Sequence, residues 1–468
     1  MSGLFSTLNA SVQALNAQSR GLETAGKNLA NVNNTTYARQ RVLYGDRGTV
    51  QLPDGAQSLG LEALGIQQLR DSLLDQQVMR EISLSASATA EQKGYQRAQA
   101  SLGEGITSAS SVSAAANTTG LGAALSDFFN AFQSFAVSPT DAGERQTLLQ
   151  KAAILTDDFN RTDTRLAQVQ TDLDAQITGD IATVNTLLQD IAGLNAQIGR
   201  VETSNPNSAV DLRDQRQARL EELAAKIPIE VRNEANGQVQ VVMKDAANAD
   251  VILVDLAAVT GPVTYTGTGL TAGTPATALS FSSGSIHGAL AARDGAVQQL
   301  RTDLGRMARQ LVTAVNAAYN PSATVGADFF APAGTSAGTI QLASGLTPAG
   351  LRAGTGAAGD NSTALAVAAV ASRVFSTAGG DFLDGTLGGF YSGAVSNLGQ
   401  ALATTNSHVD SQTGVEKLVR AQRDSVSGVS LDEEMADLVK YQRAFQASSR
   451  VFTVIDELLD TVVNRLGS

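Results

Sequence analysis

Cysteine and tryptophan are absent from this 468-residue chain, and aromatic residues make up only 4% of it. Without cysteine the chain can form no disulfide, no thiol nucleophile and no cysteine-ligated metal site. Because bulky rings supply much of the buried area in most cores, we expect extended apolar surfaces with few large anchors. The length predicts two to four structural units.

Basic residues are also in the minority, with 33 Lys and Arg against 45 Asp and Glu and a formal net charge of −12. Nucleic acids and anionic membranes both bind basic patches. No segment approaches the roughly 20 consecutive apolar residues of a membrane helix. The N-terminus has no basic region followed by a continuous apolar region, so no cleaved secretory signal is predicted. We therefore expect no nucleic acid and no membrane as partners.

Catalytic and metal-binding patterns are scarce. His287 and His408 are the only histidines, and no carboxylates stand at ligand spacing around them, so no zinc site is predicted. No nucleophile-elbow motif surrounds a serine. Residues 354–359 read GTGAAG, but a dinucleotide site requires a preceding strand, and none is indicated. We predict no catalytic, cofactor or metal site, and we expect His287 to be a hydrogen-bonded residue at a strand end.

The N-terminal segment carries an apolar stripe that repeats every seven residues. Such a repeat is typical of a coiled-coil helix. The positions between are small or polar, and Gly21 and Gly26 each weaken the helix by about 1 kcal/mol relative to alanine. Asparagines after Ala30 are expected to end it. The repeat consists of Leu8, Leu15, Leu22 and Leu29.

The C-terminal segment carries a second seven-residue repeat, in residues 431–466, which contain neither glycine nor proline. Ser430 and Glu433 match a capping box, and acidic residues in the first turn are expected to interact with the helix dipole. At 1.5 Å per residue the helix would be about 54 Å long. The repeat consists of Leu431, Leu438, Phe445, Phe452, Leu459 and Leu466, with Tyr441, Ile455 and Val462 between them.

The middle of the chain changes from helical to strand periodicity and back. Helices are predicted at about 66–102 and 121–135, and a long one at 141–201 would measure roughly 90 Å. Alternation of period two begins at Ile227, and Asn236-Gly237 predicts a type I′ hairpin turn. Helical periodicity resumes after residue 285. The segment DLRDQR, residues 211–216, alternates charges and is expected to be an exposed, salt-bridged helix face.

These patterns predict a mainly α protein with an inserted β domain. We expect terminal helices paired as a coiled coil (1–40 and 430–468), a long helical rod domain (41–226 and 286–429) and a small β surface domain (227–285). Apolar residues beside the C-terminal stripe, such as Val451, Val454, Leu458 and Val463, require a cover. Either the same chain or neighbouring copies could supply it, and the sequence leaves both open.

Two terminal motifs carry a family resemblance. Residues 28–42, NLANVNNTTYARQRV, resemble the N-terminal signature of flagellar axial proteins, with Ala30, Asn31 and Tyr37 as matching residues. Thr36 stands where that family usually has glycine, so a left-handed turn there would be strained. Residues 427–452, SGVSLDEEMADLVKYQRAFQASSRVF, resemble the C-terminal signature of the FlgK hook-associated family, with Phe445 in place of a common tyrosine. DLRDQR and GADFF lie between them in the expected order.

The resemblance implies a structural, non-enzymatic subunit of the bacterial flagellum that joins hook to filament by polymerising through its terminal helices. It implies as partners further copies of the chain, the hook protein, the other junction protein and a cytoplasmic export chaperone that binds the C-terminal helix. It also implies flagellar type III export and an extracellular location. The alternatives are another axial subunit, of the hook or distal rod, an extracellular coiled-coil adhesin or effector, and an enzyme within the β insert.

The residues expected at the assembly interface are the two apolar stripes and the N-terminal signature. They are Leu8, Leu15, Leu22, Leu29, Ala30, Asn31, Tyr37, Leu431, Leu438, Tyr441, Phe445, Phe452, Ile455, Leu459, Val462 and Leu466.

Overall fold

Helices dominate the structure, a computed structural model that describes residues 2–46, 48–52, 55–58, 60–103, 120–356 and 359–461. None of the helices in these ranges is long and apolar enough to cross a membrane. The helices are α1 (Ser2–Ala30), α2 (Ser72–Leu102), α3 (Leu121–Val137), α4 (Ala142–Ser204), α5 (Val210–Lys226), α6 (Ser285–Ala292), α7 (Gln298–Tyr319), α8 (Ser362–Ala369), α9 (Leu387–Ser427) and α10 (Leu431–Asp460).

The predicted helices are present, with shifted ends. The long helix is confirmed as α4, whose 63 residues make a continuous rod. The second helix begins at Ser72 and not at Ile66, because Ile66 belongs to a strand. The C-terminal helix is confirmed up to Asp460, while Val462, Val463 and Leu466 lie outside the described residues.

Strands form in two parts of the chain. The first part, which the predicted domain division placed with the helical rod, contains two antiparallel pairs, β1 with β4 and β2 with β3. The second part is the predicted β insert. The strands are β1 (Gln40–Asp46), β2 (Thr49–Leu52), β3 (Gly55–Ser58), β4 (Leu61–Gln68), β5 (Glu230–Asn233), β6 (Val239–Asp245), β7 (Asp250–Asp255), β8 (Ala258–Val259), β9 (Thr264–Tyr265), β10 (Leu270–Ala272) and β11 (Thr277–Ser280).

The β insert is an antiparallel sheet in the order β8-β7-β6-β11-β10-β9, with β5 also paired to β6. Asn236 (φ 56°) and Gly237 (φ 69°) both adopt the left-handed conformation between β5 and β6, as a type I′ turn requires. The predicted turn and the mainly α fold with an inserted β domain are therefore confirmed. Asn195 of α4 anchors the sheet, because its Nδ2 donates to the carbonyl oxygens of Val239 (2.7 Å) and Leu256 (2.6 Å).

The chain divides into two compact units. Unit 1 comprises Met1–Ser85, Ile181–Gly284 and Thr413–Ser468, and unit 2 comprises Ala86–Asp180 and Ser285–Gln412. The predicted division into inner-tube, rod and surface domains refers to places in an assembly and stays a prediction.

The core of unit 2 differs from the expectation that few large side chains would be buried. Its scarce aromatic residues are concentrated in one cluster, in which the ring centroids of Phe128 and Phe132 lie 5.1 Å apart and those of Phe329 and Phe330 also lie 5.1 Å apart. All four rings are fully or nearly fully buried. Such edge-to-face pairs add to the free energy gained by burial alone.

His287, in unit 2, is hydrogen-bonded as predicted, since its Nδ1 lies 3.0 Å from Ser87 Oγ. It stands in α6 rather than at a strand end. Burial lowers the pKa of this imidazole.

Candidate assembly site at the terminal helices

The two terminal helices, α1 and α10, pack against each other within unit 1. Asn28 Nδ2 donates to Glu434 Oε2 across the pair at 2.9 Å, and Gly21 lies against the ring of Tyr441. Gly21 precedes Asn28 in the chain, whereas Tyr441 follows Glu434. The helices therefore run antiparallel, with the end of α1 beside the start of α10.

Small residues, and not the leucines, make the buried side of α1. Ala17, Gly21 and Ala25 are buried there. A Cβ atom at Gly21 would lie 2.8 Å from ring atoms of Tyr441 and 2.6 Å from the hydroxyl of Tyr44, which is closer than real contacts allow. Small residues therefore make this contact with α10, because such a close approach requires residues with little or no side chain.

The predicted interface residues fall into three groups of solvent exposure. Tyr37 and Ile455 are buried. Leu22 is 36% exposed and Phe445 42%, and Leu431 and Ala30 are exposed as well. The half-buried residues are Leu8, Leu15, Leu29, Asn31, Leu438, Tyr441, Phe452 and Leu459. Their role in assembly stays a prediction.

Asn28, which the sequence analysis did not single out, joins the N-terminal signature to α10. Its side chain is buried and uses its full hydrogen-bonding capacity. Oδ1 accepts from the Tyr37 hydroxyl (2.8 Å) and the Gln40 amide (3.0 Å). Nδ2 donates to the Gln40 carbonyl oxygen (2.8 Å) and to Glu434. One amide thus closes the signature loop and attaches it to α10.

Arg39 makes a second connection to the same helix. Its Nε lies 2.6 Å from Glu434 Oε1, and its guanidinium also pairs with Glu433 and Asp437. Burial lowers the pKa of Arg39, but Glu434 and Glu433 outweigh this and the pKa is raised overall. Ser430 precedes the first residue of α10 as predicted, yet its side chain makes no capping hydrogen bond. The predicted capping box is therefore wrong, because the acids of the first turn bind Arg39 instead.

The DLRDQR segment is not a uniformly exposed face as predicted, because Asp214 and Arg216 are buried while Asp211 and Gln215 are exposed. Asp214 Oδ1 accepts from the Ala38 amide (3.2 Å) and from Arg70 Nη2 (2.6 Å). Arg216 Nη1 donates to Asn195 Oδ1 at 2.8 Å. Burial raises the pKa of Asp214 to about 6, and Arg70 offsets only part of that shift.

The C-terminal end of α9 also binds buried polar residues of α5. Arg423 donates to Glu221 Oε1 of α5 at 2.7 Å and to the Thr35 carbonyl oxygen at 2.6 Å. Asp214, Gln217 and Glu221 are buried on α5 at spacings of three and four residues. That spacing places the three residues on one helix face. The same spacing is visible in the sequence and could have indicated a buried polar face.

The signature loop itself is unstrained at Thr36. Thr36 does not have a positive φ. Asn34 Oδ1 accepts from both the amide (3.2 Å) and the hydroxyl (3.0 Å) of Thr36, which forms a turn that needs no glycine. The expected strain is therefore absent.

The comparisons with known proteins agree with the C-terminal motif. A family model of the flagellar hook-associated protein FlgK helical domain matches residues 107–330, and a model of the flagellar basal body rod FlgEFG protein C-terminal matches residues 420–466. The chain is therefore similar to the flagellar hook-associated protein FlgK over its helical middle and to flagellar rod proteins at its C-terminal end. It is thus a structural component of the bacterial flagellum.

Proteins named flagellar hook-associated protein 1 align with nearly the whole of this chain. Flagellar hook-associated protein 1 of Bacillus subtilis is 27% identical, over 100% of this chain and 99% of its own length. The protein of the same name from Escherichia coli is 24% identical, over 98% and 99%. The flagellar hook junction protein FlgK from Burkholderia pseudomallei aligns with a TM-score of 0.46 and 21% identity, over 55% of this chain and 46% of its own.

Proposed function

We propose that this chain joins hook to filament and that it polymerises through the α1–α10 pair. The observation that carries the proposal is the apolar surface left open on that pair. Nine large apolar side chains there are between 36% and 54% exposed. They are Val12, Leu22, Leu431, Met435, Val439, Phe445, Val451, Val454 and Leu458.

In this proposal, neighbouring copies of the chain bury this apolar surface. Completely burying one such side chain gains about 1.5–3 kcal/mol, so even partial burial of nine of them can offset the entropy lost on association. The intramolecular pairing of α1 with α10 leaves these residues available. The predicted interface residues Leu22, Leu431 and Phe445 belong to this set, which supports their assignment to contacts between copies.

The remaining partners follow from the same surface. We propose that the hook protein contacts one end of the assembled ring, that the other junction protein contacts the opposite end, and that a cytoplasmic export chaperone covers α10 before export. In this proposal the terminal helices line an inner tube, the long helices form a rod domain and the β insert lies outside. The chain has a mechanical role and no catalytic one.

A charge on the exposed side of α10 tests the proposal. Val454→Asp should abolish filament attachment and motility in a strain that depends on this chain, because contact with a copy would bury an unpaired carboxylate. The thermal midpoint of the purified monomer should stay unchanged, since exposed substitutions rarely alter stability by more than about 0.5 kcal/mol. The matched control is Val325→Asp, at a valine 99% exposed in unit 2. Normal filaments with Val454→Asp would refute the proposal.

A further inference from the structure

Unit 1 contains a cavity of about 610 Å³ that lies apart from the exposed apolar surface of the terminal helices. Its walls come from β4, the first turns of α2 and α5, and the turn between β5 and β6. None of the described residues that line it belongs to α1 or α10. The volume lies in the range of about 300–1,000 Å³ that is usual for small-molecule sites.

Arg216 lines this cavity with a buried cation that has no counter-charge. The residue is 7% exposed, and its Nη1 donates to Asn195 Oδ1 and to the Gly237 carbonyl oxygen, both at 2.8 Å. It forms no ion pair with a carboxylate of the described residues. Burial, and after it the nearby Arg213, lower the pKa of Arg216 to about 10, so the guanidinium is charged at neutral pH. A buried charge without a partner costs free energy that a bound anion would restore.

The open edge of Arg216 is the edge that suits a carboxylate. Its Nε and Nη2 make no hydrogen bond with a described residue, and neither atom is enclosed without a partner as Arg70 Nε is. These two groups lie on one side of the planar guanidinium, where they can bind both oxygens of a carboxylate at once.

Arg213, three residues earlier on α5, already uses the same edge in this way. Its Nε donates to Glu202 Oε1 (2.8 Å) and its Nη2 to Glu202 Oε2 (2.5 Å). Glu202 Oε1 also accepts from the Ala209 amide at 3.3 Å. Because both oxygens of Glu202 are occupied, this carboxylate does not neutralise Arg216 as well.

Amide side chains of the cavity wall add hydrogen-bond acceptors. Gln68 Nε2 donates to the Val210 carbonyl oxygen (2.7 Å), and Gln238 Nε2 donates to that of Asn195 (3.2 Å). The amide nitrogens are thus bound to the wall, which leaves the amide oxygens of both side chains to accept from a ligand. A matching ligand has a carboxylate for Arg216 and hydroxyl or amino groups for these oxygens.

We propose that this cavity binds a small carboxylate that also carries hydroxyl or amino groups, and that Arg216 holds its carboxylate through Nε and Nη2. The site is separate from the proposed assembly surface. Binding neutralises the buried cation and adds support to the β5–β6 turn, because Arg216 also holds the Gly237 carbonyl oxygen.

Isothermal titration calorimetry of the purified monomer at constant ionic strength tests the ligand class. The probes are L-malate, L-aspartate, inorganic phosphate, and succinate, which has the same carbon chain without the hydroxyl or amino group. Malate or aspartate should bind saturably, and succinate and phosphate should bind at least about tenfold more weakly. Lack of saturable binding by both malate and aspartate would overturn the proposal, as would equally tight binding of phosphate.

A substitution of Arg216 tests the residue. Arg216→Lys should weaken binding of malate or aspartate at least about tenfold, because lysine keeps the charge but has no planar edge with two donors. Arg219→Lys is the matched control on the same helix, since Arg219 pairs with Glu222 and does not line the cavity. Its affinity should stay unchanged. Equal affinities of the two variants would overturn the role of Arg216.

A second pair of variants leaves Arg216 intact. Ser72 lines the cavity at the first residue of α2, where an acidic side chain is favourable to the helix. Ser72→Asp should weaken binding by repelling the carboxylate of the ligand, whereas Ser72→Asn should not. Binding that neither Ser72→Asp nor Arg216→Lys weakens takes place elsewhere, and this result would refute the site.

Discussion

At the residue scale, one buried amide holds the base of the terminal helices together. Asn28 is only 1% exposed and links α1, the signature loop and α10 through four hydrogen bonds. A buried polar group that loses its partner costs about 1–3 kcal/mol. Deleting this side chain removes a partner from several such groups at once, among them the Tyr37 hydroxyl and the Gln40 amide, while Glu434 keeps its contact with Arg39.

We therefore expect Asn28→Ala to lower the free energy of unfolding by about 2–4 kcal/mol, as measured by urea denaturation. Asn31→Ala is the matched control. The Asn31 amide is half-buried and donates locally to the Lys27 carbonyl oxygen, so its loss should cost less than about 1 kcal/mol. Equal losses for the two variants would contradict the role given to Asn28.

Asp214 predicts a dependence of stability on pH. Its folded-state pKa of about 6 lies above the unfolded value of about 3.9, so the folded protein binds the proton more tightly. The stabilisation is complete below about pH 4 and is lost as the pH rises through 6, with a total near 3 kcal/mol. Burial raises the pKa of Asp75 as well, so this carboxyl group adds to the dependence with the same sign.

Asp214→Asn should flatten the fall in unfolding free energy between pH 4.5 and 7, because the amide keeps an acceptor for Ala38 and Arg70 but does not titrate. Chemical denaturation at several pH values measures this. Asp360→Asn is the control, since hydrogen bonds from Ser362 lower the pKa of Asp360 to about 2, below the tested range. An unchanged slope in Asp214→Asn would show that the dependence arises elsewhere.

At the element scale, α1 combines two apolar surfaces with different roles. The side with Ala17, Gly21 and Ala25 packs within the chain, while Leu22 on the heptad stripe remains exposed. The seven-residue repeat was visible in the sequence. The sequence did not show that this stripe is separate from the intramolecular contact, because that contact involves Tyr441, which is distant from Gly21 in the chain.

Two glycines of α1 offer a matched comparison. A Cβ at Gly21 would meet Tyr44 and Tyr441, whereas a Cβ at Gly26 meets nothing within 4 Å. Gly21→Ala should lower the free energy of unfolding by about 1–3 kcal/mol through overpacking. Gly26→Ala should raise it by up to about 1 kcal/mol through helix propensity. Thermal unfolding of both variants measures the difference, and equal stabilisation by the two would show that Gly21 is not required for close packing.

At the scale of the whole molecule, α10 buries few of its own residues, with only Glu434 and Ile455 buried against eight residues on α5 of the same unit. Among the described elements, α10 packs extensively only against α1, while α1 also contacts β1 and β4. Segments with few buried contacts open more readily. We therefore expect α10 to be a part of the monomer whose order depends on association.

Limited proteolysis of the purified monomer should remove roughly the first and last 40 residues before it cuts the rest, as followed by mass spectrometry. Isolated flagella provide the comparison, since the same bonds should be protected there by neighbouring copies. Equal protection of both ends in the monomer and in flagella would contradict a surface that only assembly covers.

The sequence by itself determined the long helices, the β insert with its Asn236-Gly237 turn, and the two terminal signatures, because these depend on periodicity and local backbone preference. Only the tertiary structure decided which side of α1 faces α10, that Asp214 and Arg216 are buried, and that Glu433 binds Arg39 instead of capping its helix. Each of these depends on partners distant in the chain. A charged residue has the same local pattern whether it meets water or an opposite charge, so its burial is set by packing between elements.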